Sequence, residues 1–313
     1  MLTVTFLGTA AACPTVERNV ASLAVMREGE MFLFDCGEGT QRQMMRYGVG
    51  FSFKEIFFTH YHSDHLLGVI GLVRTMGLMD RREGLVLYGP RGAQRILSHA
   101  LSVGIEKPKF PVEIIELKSG DRIKRGDYEF VAFTTDHRAD TIGLSLVERD
   151  RLGRFDPDRA RVLGVPEGPL WGQLHRGVTV TLDDGRQVAP ETLVGPPRPG
   201  RTLVYTGDTR PCRAVVDAAR GADLLIHDAT FGDEEQARAV ETGHSTAREA
   251  AETARDAGVR HLVLTHISAR YNRDAPELLA EAKTVFPFVT VARDGMQIVT
   301  PYADQVSSAS AEA

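Results

Sequence analysis

The feature that most constrains this chain is His60-Tyr61-His62-Ser63-Asp64-His65, which follows the apolar run Glu55-Ile56-Phe57-Phe58-Thr59. Three imidazoles and a carboxylate within six residues are too many polar groups to bury for packing alone. In extended chain His60 and His62 point to the same side. Asp64 and His65 fall where Leu66-Leu67-Gly68-Val69-Ile70 and Leu72 begin a helical pattern. A strand that ends in such a loop and opens a helix presents four donors to one small volume. Neutral imidazole with carboxylate suits zinc, and one carboxylate among several histidines fits an open catalytic site better than a closed structural one. The competing reading is a solvated histidine-rich turn.

Strand patterns precede the loop at Leu2-Thr3-Val4-Thr5-Phe6-Leu7, at 22–27 and at 31–35, the last two split by Glu28-Gly29-Glu30, with a short helix through Tyr47. After the loop the pattern predicts a helix to about Met79, a strand at 85–88 and a helix at about 91–103. Strands follow at 113–117, 128–135 and 142–147. The second half reads as strand 202–206, helix 213–219, strand 224–227, helix 246–257, strand 261–265, helix 276–285 and strand 289–292. A strand-rich start and a strand–helix finish predict a layered α/β fold.

One stretch breaks the layers. From Arg149 to Arg201 the chain is rich in Arg, Gly and Pro, and only 178–182 and 186–188, joined by Asp183-Asp184-Gly185, suggest a hairpin. An excursion of this length is expected to be functional. Its nine arginines (149, 151, 154, 159, 161, 176, 186, 198 and 201) stand against seven acids, so a plain solvated excursion is the alternative.

A net charge of -5 argues against indiscriminate nucleic-acid binding but leaves room for a local basic patch. Cys13, Cys36 and Cys212 are odd in number and far apart, as reduced thiols of a cytosolic protein would be. The N-terminal segment carries no basic region or long apolar run, so neither an export signal nor a membrane span is expected. The Ser/Ala-rich 305–313 is expected to be a disordered tail.

A two-metal site needs donors beyond the loop. His137, Asp208 and His266 each follow a predicted strand, as His60 does, and such ends can meet at one rim of a layered structure. With these residues the chain resembles the dinuclear hydrolases of the metallo-β-lactamase superfamily. Within it, the chain is similar to the ribonuclease Z (tRNase Z) family through Phe34-Asp35-Cys36-Gly37-Glu38-Gly39-Thr40-Gln41, the 60–65 loop, Tyr205-Thr206-Gly207-Asp208-Thr209, Gly243-His244-Ser245-Thr246 and Thr265-His266-Ile267-Ser268-Ala269-Arg270-Tyr271.

That resemblance implies an αββα sandwich made of 1–148 and 202–304, with 149–201 inserted as the flexible arm that grips the tRNA body. It implies two metal ions per subunit, zinc or manganese: one on His60, His62 and His137, the other on Asp64, His65 and His266, bridged by Asp208. It implies a cytoplasmic homodimer acting on precursor tRNA, with Asp64 as the base, a 3′-hydroxyl left on the tRNA and a 5′-phosphate on the trailer. Arm residues including Arg151, Arg154 and Arg176 would touch the RNA. Arg270 and Arg273, near His266 in the sequence, either touch phosphate or make ordinary surface pairs, and their placement favours phosphate.

Two departures stand out. The family pairs a Glu in His-Glu-Ala-Thr with the His of His-Ser-Thr to protonate the leaving group, whereas this chain has His227-Asp228-Ala229-Thr230 beside His244. The shorter Asp228 either is compensated by the backbone, weakens the relay or merely caps structure. Ala11-Ala12 stand where the family often has Gly, which bears on loop conformation. His99 and His175 read as surface residues, and His227 and His261 as equally plausible supports of the site or bystanders. Trp171, the sole tryptophan, reads as an anchor of the arm more readily than as a stacking platform. Other functions open to the chain are a dinuclear hydrolase of small phosphodiesters, sulfate esters or lactones, and an RNA-binding protein with a dead site.

Overall fold

Period-two alternation divides the strands between two faces, and both faces are covered. Leu2, Val4, Phe6, Phe32 and Phe34 enter one apolar cluster, while Leu7, Met31 and Leu33 enter another. The computed structural model describes residues 1–105, 107–271 and 274–305. One sheet runs in the order Gln297–Thr300, Leu2–Gly8, Ser22–Arg27, Glu30–Phe34, Glu55–Phe57, Leu85–Gly89, Val112–Glu116. Its first four strands are antiparallel and its last four parallel. The other runs Val289–Val291, Leu262–Thr265, Leu224–Asp228, Thr202–Tyr205, Ile142–Glu148, Tyr128–Thr134, Arg122–Lys124, and its first four are parallel.

The inner faces of the two sheets share a core that includes Phe34, Phe57, Phe130 and Tyr205, all buried. Outside the first sheet, Met44, Val69, Leu72, Met76 and Leu97 bring in helices Thr40–Arg46, Gly68–Leu78 and Ala93–Leu101. Outside the second, Val215, Ala250, Ala254 and Leu278 bring in Arg213–Ala218, Ala247–Ala257 and Pro276–Lys283. The layers are helix, sheet, sheet, helix, the expected α/β sandwich. Among the described residues no helix is long and apolar enough to cross a membrane.

The helix expected to continue from the histidine loop is in fact two, Ser63–Leu66 and Gly68–Leu78. The break has a cause: the Gly68 N–H donates to Cys36 O at 2.9 Å instead of continuing the helical ladder. A Cβ on Gly68 would lie 1.9 Å from Gly37 O, so only glycine permits that approach. Strands Arg122–Lys124 and Gln297–Thr300 and helix Gln236–Thr242 were not expected. The helix buries only Ala239, so it has no apolar stripe to read.

Two compact units are distinguished, Met1–Val147 with Thr202–Pro301, and Glu148–Arg201 with Tyr302–Ala313. Residues 306–313, the expected tail, lie outside the described residues. The second unit holds more than a hairpin. Besides Val180–Thr181 and Gln187–Val188 it has helices Pro157–Val162 and Pro169–His175, and a small core of Ala160, Val165, Leu174, Val180, Leu182, Val188 and Leu193. Both helices begin on proline, which suits a first turn but hid them among turn-like residues. Trp171 packs against that core and donates from Nε1 to Val165 O at 3.1 Å. Tyr302 and Asp304 belong to this unit: Arg151, Arg154 and Arg198 all pair with Asp304, and the Arg151 and Arg201 guanidinium groups lie 3.4 and 3.9 Å from the Tyr302 ring centre.

Candidate metal centre

Seven side chains converge where strands end. His60 follows Glu55–Phe57, His137 follows Tyr128–Thr134, Asp208 follows Thr202–Tyr205 and His266 follows Leu262–Thr265. His62 has the extended backbone of a residue preceding a helix, and Asp64 and His65 lie in the one-turn helix that it opens. Gly207, at φ +61, lets the Asp208 loop close on the first sheet: a Cβ there would sit 2.6 Å from Thr59 Cβ.

His60 Nε2 and His62 Nδ1 are 3.0 Å apart, His137 Nε2 is 3.3 Å from the same His62 nitrogen, and Asp208 Oδ2 is 3.5 Å from His60 Nε2. In the second set, His266 Nε2 is 3.3 Å from Asp64 Oδ2 and 3.4 Å from His65 Nε2. Asp208 Oδ1 turns to this set, 3.3 and 3.4 Å from His65 and His266 Nε2. Asp208 therefore offers one oxygen to each set.

Outer contacts fix which nitrogens face inward. His137 Nδ1 lies 2.7 Å from Gly243 O, which can only accept, so this nitrogen carries the proton and Nε2 turns its lone pair inward. His65 Nδ1 donates to Asp35 Oδ2 at 2.8 Å. The Thr59 hydroxyl donates to Asp35 and thus accepts from His60 Nδ1 at 3.1 Å. By the same logic Thr230 donates to Asp228 Oδ1 and accepts from His266 Nδ1 at 2.9 Å.

The residues fit a pair of metal ions. Tetrahedral ligands at about 2.0–2.2 Å from an ion stand roughly 3.3–3.6 Å from one another, close to the spacings here. Asp208 Oδ1 is buried without a hydrogen-bond partner among the described residues. Burial and neighbouring imidazoles hold His60 well below the ordinary imidazole value, and burial with His137 lowers His62, so both are neutral donors. Burial opposes charge on His65 too, but Asp208 and Asp35 outweigh it and pull His65 well above its usual range. The buried carboxylates thus call for positive charge at their focus.

Asp228, His244, Asp208 and His266 also lie close enough to form a donor set, but Asp228 is already committed. Its Oδ1 accepts from Thr230 N and Oγ1 at 3.0 and 2.7 Å, and its Oδ2 from Thr209 N at 3.1 Å and His244 Nδ1 at 2.8 Å. The shorter side chain therefore does reach His244. Burial lowers the His244 pKa, but the Asp228 carboxylate more than reverses this and pushes it up to about 9. Arg210 secures the segment from outside, donating to His244 O and to Glu249, which with Thr246 forms a capping box on helix Ala247–Ala257.

Ala12 takes a left-handed backbone, φ +54, and its N–H donates to Asp64 Oδ2 at 2.9 Å. Arg270 pairs with Glu235, and Arg273 lies outside the described residues. Arg151 and Arg154 are taken up by Asp304, while Arg176 is exposed. His261 meets Thr290 Oγ1 at 2.9 Å and His227 donates from Nδ1 to Asp228 O at 2.7 Å. Asp35, Thr59, Thr230, Tyr205 and Arg210 were given no role from sequence. Asp35, Tyr205 and Thr230 lay inside noted motifs, and their position at or just past strand ends beside candidate ligands was the available signal.

Residues 192–267 match the family described as Beta-lactamase superfamily domain, and residues 2–153 the one described as Anti-Pycsar protein Apyc1. A ribonuclease Z of Gemmatimonas aurantiaca is 59% identical over 299 residues, covering 95% of each chain. A ribonuclease Z of Myxococcus xanthus is 55% identical over 305 residues, covering 97% of this chain and 99% of that one. The crystal structure of human tRNase Z, short form, superposes with a TM-score of 0.69 at 28% identity, covering 96% of this chain and 99% of that one.

Proposed function

The chain belongs to the ribonuclease Z family of the metallo-β-lactamase fold, and we propose that it acts as a zinc-dependent endoribonuclease that removes the 3′ trailer from precursor tRNA. The observation that carries this reading is the split of Asp208 between two imidazole-bearing donor sets, with Asp64 in one of them and a carboxylate-backed His244 packed against His137 and His266. His60, His62, His137 and Asp208 would hold one zinc, and Asp64, His65, His266 and Asp208 the second. Two zinc ions held there would lower the pKa of a water toward neutrality and would offset charge on the non-bridging phosphate oxygens.

Around that chemistry the chain's own residues place protons. Asp64 is aimed by the Ala12 N–H and accepts the proton of the attacking water. His244, held through Nδ1 by Asp228, presents Nε2 to donate a proton to the departing 3′-oxygen of the tRNA. The products are a 3′-hydroxyl on the tRNA and a 5′-phosphate on the trailer. The 149–201 insertion, with the exposed Arg176 available to phosphate, grips the tRNA body, and Arg270 and Arg273 contribute to RNA binding. The working form is a cytoplasmic homodimer.

The test is incubation of the protein with a 3′-extended precursor tRNA, with and without chelator, mapping the ends. The expected result is one chelator-sensitive cut beside the discriminator base, and zinc in the purified protein. Hydrolysis of a small diester such as bis(p-nitrophenyl) phosphate without any cut in precursor tRNA would overturn the reading in favour of a small-molecule hydrolase. Deleting 150–200 should abolish the tRNA cut and spare the small diester.

A further inference from the structure

A cleft of about 640 Å³ opens beside the metal centre and shares a wall with it. That wall is His62, the exposed member of the first donor set. Next to it stands Tyr61, pinned through its hydroxyl to Pro90 O at 2.8 Å and packed so closely on Gly89 that a Cβ there would lie 2.3 Å from the hydroxyl oxygen. The same cleft is lined by Arg91 and Arg95, four residues apart where the chain enters helix Ala93–Leu101. Both are exposed, and neither side chain has a hydrogen bond or ion pair among the described residues.

The segment that carries them is fixed. Gly92, at φ +93, turns the chain into the helix, and Glu116 Oε1 accepts from Gly92 N and Gln94 N at 3.0 and 3.3 Å. Glu116 thus spends its charge on backbone N–H groups rather than on the arginines. Asp140 is the other acid lining the cleft. Most arginines elsewhere in the layered unit, such as Arg27, Arg125, Arg210 and Arg260, are tied to acids. Two unpaired guanidinium groups, one on the turn into helix Ala93–Leu101 and one in its first turn, beside the candidate metal centre suit one ligand chemistry, the phosphate of an RNA backbone.

We infer that Arg91 and Arg95 hold the backbone phosphates flanking the scissile one, so that this cleft positions the RNA strand across the metal centre. The inference rests on the proposed ribonuclease reading. The arginines are positioning residues. They touch neither the reacting phosphorus nor a metal ligand, and their contribution is the register of the strand.

The experiment compares wild type, Arg91→Ala/Arg95→Ala and Arg91→Lys/Arg95→Lys on precursor tRNA and on bis(p-nitrophenyl) phosphate, across a salt series. The alanine variant should lose roughly tenfold or more in kcat/KM on precursor tRNA, the scale of one charge-assisted contact. Turnover of the small diester should be unchanged, and lysine should restore part of the loss. The dependence of log kcat/KM on log salt should flatten by about 0.7 per phosphate contact removed, which a merely structural role would not do. A set of trailer lengths assigns the side: a loss that grows with trailer length places the contacts on the trailer, and a constant loss places them on the tRNA. Equal cleavage and equal salt slope in wild type and variant would overturn the inference, as would a parallel loss on the small diester, which would mean a disturbed His62. If wild type itself leaves precursor tRNA intact, the proposed function falls first, and that failure is visible before any variant is made.

Discussion

The two sheets each supply the centre with a buried aspartate, a threonine and a pair of histidines, and the two sets differ at one position. In the first, Asp35 receives the Thr59 hydroxyl at 3.0 Å, Thr59 fixes His60, and Asp35 also holds His65 directly at 2.8 Å. In the second, Asp228 receives the Thr230 hydroxyl at 2.7 Å, Thr230 fixes His266, and Asp228 holds His244 at 2.8 Å. His65 is fully buried and its Nε2 faces Asp208 and His266 within the donor set. The His244 side chain is 14% exposed, and its Nε2 has no partner among the described residues. Under the proposed function one arrangement would serve two ends: the first set would use both imidazoles to gather charge, and the second would keep one back for the substrate.

The sharpest way to break this comparison is to remove the two odd histidines. His65→Ala should lower activity on every substrate by on the order of 10³-fold or more and should reduce bound metal. His244→Ala should keep its metal and lose about 10²–10⁴-fold in kcat on precursor tRNA, the scale of lost general-acid help. Metal analysis beside single-turnover cleavage distinguishes them. If His244→Ala also lost metal, the two sets would be equivalent and the second would have no catalytic histidine.

A smaller and more discriminating effect is expected at the aspartates. In Asp35→Asn an amide nitrogen meets either the Thr59 donors or His65 and Tyr205, and His65 escapes the clash by moving its proton to Nε2, against the donor set. Metal affinity should fall about 10–100-fold, as when such outer partners are removed. In Asp228→Asn the amide oxygen can stay on Thr230 while the nitrogen opposes His244 and Thr209. Metal binding should then hold while kcat falls. Titration with a chromophoric chelator would check both, and equal metal loss in the two variants would contradict the division of labour.

The candidate donor set was legible in the sequence because histidines and an aspartate crowd one loop and because the other three donors share a placement after strands, which taken singly would each have been weak evidence. His60, His62, Asp64 and His65 share one loop, and His137, Asp208 and His266 each follow a run of β-branched or apolar residues. The layers were legible for a related reason, since alternation survives wherever both faces of a strand are buried. Asp35 and Thr59 were not read because a lone Asp or Thr after a strand is common turn chemistry, and its role depends on what another strand brings opposite. The arm helices escaped because they are short and mostly exposed, with Ala160 and Leu174 as their only fully buried residues. Ala12 was noted for loop conformation, yet its N–H bond to Asp64 links residues 52 apart, which no local pattern encodes.

The smallest expected effect bears on one of the two departures from the motifs that carry the resemblance. Asp228 sits where a glutamate was expected, and its carboxylate is fully buried with both oxygens engaged by four donors. The strand Leu224–Asp228 pairs in register with Leu262–Thr265, which places Asp228 opposite Thr265, next to the candidate ligand His266. There is no slack for another methylene. In Asp228→Glu the longer arm would keep His244 only by leaving Thr230, which fixes His266, or keep Thr230 by overshooting His244. Restoring the family residue should therefore lower kcat a few-fold and cost about 1–3 kcal/mol of stability, the usual range for an overpacked core. Thermal unfolding and cleavage of the same precursor tRNA measure both. Unchanged stability with faster cleavage would show that the backbone here can yield, and that the shorter aspartate is a handicap the fold tolerates rather than one it has closed up to accommodate.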